Sequence, residues 1–185
     1  IAALEGHRPD PPLYPADAGT RARALALEDQ CDEEIGPHLR RVFFHDTLEV
    51  PDIAIESLTV GESDRTRRLY GLAFPLVRSV LRRDLGLDAT RAAESRRRIE
   101  RALARLGEEI GPTGYLVGDR FTVADLTAAA LLAPLVRPPE FPYALPPLVP
   151  RLAAWRATLA DSSAFRWVED TYRRHRGVSC AVGDP

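Results

Sequence analysis

The chain has 185 residues, 45% of them hydrophobic and 28% charged, with a formal net charge of −2. That length fits one domain able to bury roughly 70% of its unfolded surface without a disulfide or metal staple. The balanced charge argues against a dedicated nucleic-acid or membrane-surface binder, and no apolar run approaches the roughly 20 residues of a membrane span. Cys31 and Cys180 stand far apart in no CxxC or Cys/His spacing, so neither a disulfide framework nor a metal site is expected. These features predict a soluble, cytoplasmic protein.

Methionine is absent, so Ile1 is expected to lie inside a longer protein. Lysine and asparagine are absent too, and all 25 basic residues are arginine, a bias that points to a GC-rich, bacterial source.

Prolines and glycines divide the chain into helical blocks. Ile1–Glu5 reads as the last turn of an earlier element, and His7–Pro15, with four prolines, as a linker. Asp17 to about Phe44 reads as one long helix, with Ala24, Leu27, Cys31, Ile35, His38 or Leu39, and Val42 at three- and four-residue steps. Leu48–Glu62 holds proline, glycine and a short alternating stretch and is expected to be a loop or lid. Asp64–Leu85 is a helix with Leu69, Ala73, Leu76, Val77 and Val80 on its core face, kinked at Pro75. Asp88–Ile110 is a third, capped by Asp88, with Ala92, Ile99, Leu103, Leu106 and Ile110 inward. Its run Arg96, Arg97, Arg98, Arg101 and Arg105 is expected to be a solvated face.

From Val123 to Val136 the only charged residue is Asp125, and apolar residues cover every side. Such a helix is expected to be buried all round, at the centre of a bundle. Pro134–Pro150, with seven prolines, is an irregular crossing. Arg151–Leu159 and Ser162–Arg174 close the fold with Leu152, Trp155, Leu159, Phe165, Trp167 and Val168, and residues 177–185 are expected to form a flexible tail. The predicted class is all-α, a helical bundle around a central buried helix.

The strongest local signal is Gly118-Asp119-Arg120-Phe121-Thr122-Val123-Ala124-Asp125-Leu126. Thr122 is a favoured N-cap, Asp125 can reach back to its amide, and Phe121 and Leu126 form a hydrophobic staple. A buried helix cannot leave its first amides to water, so Thr122 and Asp125 are read as a structural cap rather than as catalytic groups.

This run, with Tyr115-Leu116-Val117 before it, resembles the start of the buried core helix in the C-terminal domain of glutathione S-transferases. Ile1–Glu5 and the prolines through Leu13-Tyr14-Pro15 resemble the end of that family's thioredoxin-like domain and its interdomain linker. The resemblance implies residues 1–15 as that end and linker, and 16–176 as the helical domain. It also implies a full-length homodimer active in detoxification. Glutathione would then be the co-substrate of the parent enzyme, with its thiol activated on a thioredoxin-like domain absent from this chain. No catalytic residue is expected here. The helical domain would supply the wall for a small apolar electrophile, for which Cys31, Ile35 and His38, at mid-length of the first long helix, are the candidates. They are expected to form an exposed apolar patch. Packing is the competing role for Cys31 and Ile35. Glu34, His38 and His45 have a helical spacing compatible with a metal but are read as a polar face. Cys180 and its neighbour Arg176 are read as incidental. The competing function is a non-catalytic helical interaction domain of the same fold; a helical regulator is disfavoured because no helix-turn-helix is found.

Overall fold

The computed structural model describes residues 2–7, 10–142 and 145–176. Among these are nine helices and no strand: α1 (Ala2–His7), α2 (Ala18–Glu34), α3 (Gly36–Thr47), α4 (Pro51–Leu58), α5 (Asp64–Asp84), α6 (Ala89–Glu109), α7 (Val123–Val136), α8 (Pro150–Leu159) and α9 (Ser163–His175). The fold is all-α. No described helix is long and apolar enough to cross a membrane. The tail expected at 177–185, with Cys180, lies outside the described residues.

The main core is built by α2, α3, α6, α7, α8 and α9, with α7 packed between α2 and α9 and α6 running along α3. The cap of α7 has the predicted form. The Asp125 carboxylate is fully buried and accepts the amides of Thr122 (2.8 Å) and Leu116 (2.9 Å) and the Thr122 hydroxyl (2.9 Å). The Val123 amide, another donor the helix cannot satisfy internally, goes to the Leu13 carbonyl at 2.9 Å. Glu5 in turn accepts the amides of Leu13 and Tyr14, so the proline-rich stretch is tied to the helix it precedes. At the other end, Arg156 donates to the carbonyls of Leu135 (3.0 Å) and Val136 (2.7 Å), closing the last turn.

Burial of α7 is incomplete, which corrects the expectation of a helix covered on every side. Ten of its fourteen residues are buried, but Ala130 is exposed and Leu126 and Leu131 are half-buried, with Leu126 and Ala130 along an open groove beside Thr171, Tyr172 and His175 of α9.

Two further expectations change. The single helix from Asp17 to Phe44 is two, α2 and α3, because Pro37 has no amide to donate and interrupts the ladder beside Gly36. The loop expected at Leu48–Glu62 contains a helix, α4. Pro51 stands in its first turn, where a missing amide is harmless, and the apparent alternation of Ile53 and Ile55 is one side of a short helix.

With α5, α4 forms a hairpin around a second, smaller core of Leu48, Ala54, Phe74 and Leu87. The face assigned inward on α5 is turned outward. Leu69, Leu76 and Val80 are exposed, as is Leu72 at 82%, while Phe74 is buried and Tyr70 and Leu81 pack beside it. Eight residues of α4 are too few to cover both apolar flanks of a 21-residue partner.

The arginine run on α6 is not wholly a solvated face. Arg96 is nearly buried, pairs with the fully buried Asp46 of α3 and lies over the Trp155 ring of α8. His45 Nδ1 donates to the Asp46 carboxylate as well (2.8 Å) and Arg151 of α8 stands 3.8 Å from it, so one carboxylate links α3 to α6 and α8.

Asp125→Ala strips partners from two buried amides. We expect a loss of about 2–3 kcal/mol, read as a lower urea midpoint at unchanged slope.

Candidate functional site

The two cores do not fuse. Phe43 packs against the main one and Phe44 against the smaller one, so the last turns of α3 straddle a seam. Along that seam lies a cavity of about 250 Å³, walled by α3, α4, the end of α7 and the proline-rich crossing that follows it. Its walls are mostly apolar: Phe43, Phe44, Leu58, Leu145 and Leu148 carry most of the side-chain surface, and Ser57 turns its hydroxyl onto the Ile53 carbonyl at 2.7 Å. Arg137 is the only charged residue among the described lining. It ends α7 in the left-handed conformation (φ 57°), its amide on the Ala133 carbonyl at 2.7 Å and its guanidinium on the Pro146 carbonyl. Burial, and then the neighbouring Arg156 charge, push the Arg137 pKa down.

The residues singled out from the sequence lie elsewhere. Cys31 and Ile35 are 4% and 1% exposed and belong to the main core, so the expected open apolar patch is not there. They touch only the floor of a separate groove between α2 and α6, whose rim carries Gln30, Glu34, Arg105, Glu108 and Glu109. Burial, followed by Asp32 and Glu34, pushes the Cys31 thiol up to about 12. At neutral pH it is a thiol, not a thiolate, and an inert one.

His38 is half-buried, with Nδ1 3.0 Å from the Ser95 hydroxyl, which also accepts from Arg41 at 3.2 Å. Burial first, and then the positive charges of Arg98 and Arg41, hold its imidazole below the ordinary value, against Glu94 and Glu34. Ser95 is buried, so this pair has no access for a substrate and no carboxylate to orient the ring. Glu34 is engaged by Arg105 and His45 by Asp46, and among the described residues no three potential ligands converge on a metal position.

The cavity was missed because its walls come from four stretches distant in sequence. The adjacent Phe43-Phe44 pair and the paired prolines at 138–139 and 146–147 are the only local hints of it.

Residues 89–158, which take in α6, α7 and α8, match the family model described as Glutathione S-transferase, C-terminal domain. No curated protein and no solved structure matches at the significance required. Over residues 89–158 the chain is therefore similar to the helical C-terminal domain of glutathione S-transferases, and its described fold is likewise all-α.

The depressed His38 imidazole makes a pH prediction. The unfolded chain binds the proton that the folded one resists, so stability is present above the ordinary imidazole value of about 6.5 and is lost as pH falls below it. His175, also lowered, first by burial and then by Arg174 against Asp125, adds in the same direction. We expect the urea midpoint to drop between pH 7.5 and 5.5, and His38→Gln to show a smaller drop than the parent.

Proposed function

We propose that this chain is the electrophile-side helical domain of a glutathione S-transferase-like enzyme. In this reading residues 1–15 are the end of a thioredoxin-like domain and its linker, and residues 16–176 form the helical domain. The full-length protein is a cytoplasmic homodimer that conjugates glutathione to small apolar electrophiles, and neither nucleic acid nor membrane is a partner. The observation that carries the reading is the seam cavity beside α7, in a domain of this type. It is large enough for a small organic molecule, mostly apolar, and free of any carboxylate, imidazole or thiol among its described lining.

The division of labour follows from that chemistry. A glutathione thiolate attacks the electrophilic carbon, the sulfur–carbon bond forms and the leaving group departs with its electron pair. Phe43, Phe44, Leu58 and Leu148 hold the apolar body and exclude water from it. Thiol activation is assigned to the preceding domain, because Cys31 is protonated and buried and His38 and Ser95 are closed off. In this reading the cavity walls, rather than Cys31, Ile35 and His38, are the electrophile contacts.

The same fold used as a non-catalytic interaction domain is the second reading. It is favoured by the outward stripe Leu69, Leu72, Leu76 and Val80 on α5, a helix-pairing spacing left uncovered.

Purified chain given glutathione and a generic aryl halide should show no turnover above the uncatalysed rate. It should bind an apolar fluorescent dye saturably, and Ser57→Phe, which projects a ring into the cavity, should weaken that binding at least about fivefold (about 1 kcal/mol) with the helical signal retained. Turnover by the chain alone would overturn the assignment of thiol activation. Dye binding indifferent to Ser57→Phe would remove the cavity as the electrophile pocket and leave the interaction reading.

A further inference from the structure

Resting on the cavity as a ligand pocket, the inference drawn here concerns what kind of molecule it selects. Arg137 is a cation on the wall of an otherwise apolar cavity, and no described carboxylate lies within ion-pair distance of it. A guanidinium presents five donors in a planar fork, and among the described residues it donates to the Pro146 carbonyl alone. The ordinary reason for an arginine here would be to cover the last carbonyls of α7. Arg156 already does that, through Leu135 and Val136, so Arg137 is spare for another partner.

Backbone geometry points the same way. The left-handed conformation that ends α7 favours glycine or asparagine, and an arginine there is held at a conformational cost. Its side chain is anchored by Pro146, a residue that itself lines the cavity. Burial, and then the Arg156 charge, disfavours the Arg137 cation, so an anion brought to this wall would offset that cost. The low-polarity surroundings strengthen such a contact relative to water.

We infer that the seam cavity binds apolar carboxylic acids, with the hydrocarbon or aryl body between Phe43, Phe44, Leu58 and Leu148 and the carboxylate on Arg137. Charge and apolar surface are each modest alone; together they select an amphipathic anion over a neutral molecule of the same length.

The test uses the whole chain and two probes that differ only in the head group, octanoate and 1-octanol, titrated at low ionic strength with backbone amide shifts as the readout. Octanoate should bind at least about tenfold more tightly than octanol, with shifts concentrated at Phe43, Leu58 and Arg137, and the advantage should shrink as salt is added. Arg137→Asn removes the charge while suiting the left-handed backbone. It should bring octanoate down to the level of octanol and leave octanol unchanged. Equal affinities in the parent, an unaffected octanoate affinity in Arg137→Asn, or shifts away from the cavity would each overturn the carboxylate inference while leaving a neutral electrophile pocket possible. Failure of both probes to bind would overturn the pocket itself.

Discussion

The fold depends on one buried carboxylate. α7 is so apolar that it must be covered by other helices, and a covered helix has no water at its N-terminus to take up its free amides. Asp125 answers this by accepting from Thr122 within the cap and from Leu116 in the segment before it, so the same side chain starts the helix and positions the chain that leads into it. Burial pushes its carboxyl above the ordinary range, and the hydrogen bonds from Leu116 and Thr122 work against that push. The adjoining Val123 amide reaches back to the Leu13 carbonyl, which ties the proline-rich stretch to the core helix.

Around this fixed helix the remaining elements pack with unequal tightness. The Asp46 carboxylate binds α3 to Arg96 of α6, beneath the Trp155 ring of α8, and makes that side of the bundle a single block. The α4–α5 hairpin centres on the small core, reaches the main one through Val50 and Ile53, and leaves Leu69, Leu72, Leu76 and Val80 exposed. Two separately packed units meeting along one helix leave a gap where neither core reaches. The cavity occupies that gap, and its one charged wall residue comes from the turn that ends α7. The stabilising carboxylate and the proposed ligand contact therefore stand at opposite ends of the same helix: Asp125 at the start, Arg137 at the finish.

What was legible in the sequence follows the range of the interactions concerned. The α7 cap is written within nine consecutive residues, and its residues and role were readable. The α6 stripe and its Asp88 cap were readable for the same reason. The break at Pro37 and the first turn at Pro51 were also local, yet continuous apolar spacing hid one and a false alternation hid the other. Cys31 and Ile35 show the limit of a local reading: both fall on the apolar stripe, but whether that stripe is packed or left open is decided by α6 and α7, far along the chain. Leu69, Leu72, Leu76 and Val80 show the same limit in reverse. An apolar stripe is recognisable from spacing, but whether anything covers it depends on the length of a neighbouring helix. The cavity was least legible of all, because it is a space between two packed units rather than a pattern in either.

Native-state hydrogen exchange measures the central claim, that the Asp125-capped α7 organises the bundle. The amides of Leu116 and Thr122, and those through the middle of α7, should exchange only on global unfolding, with the slowest rates in the chain, while amides of α5 exchange through smaller, local openings. If the Leu116 and α7 amides exchange as fast as those of α5, α7 is not the organising element and the account built on its cap is wrong.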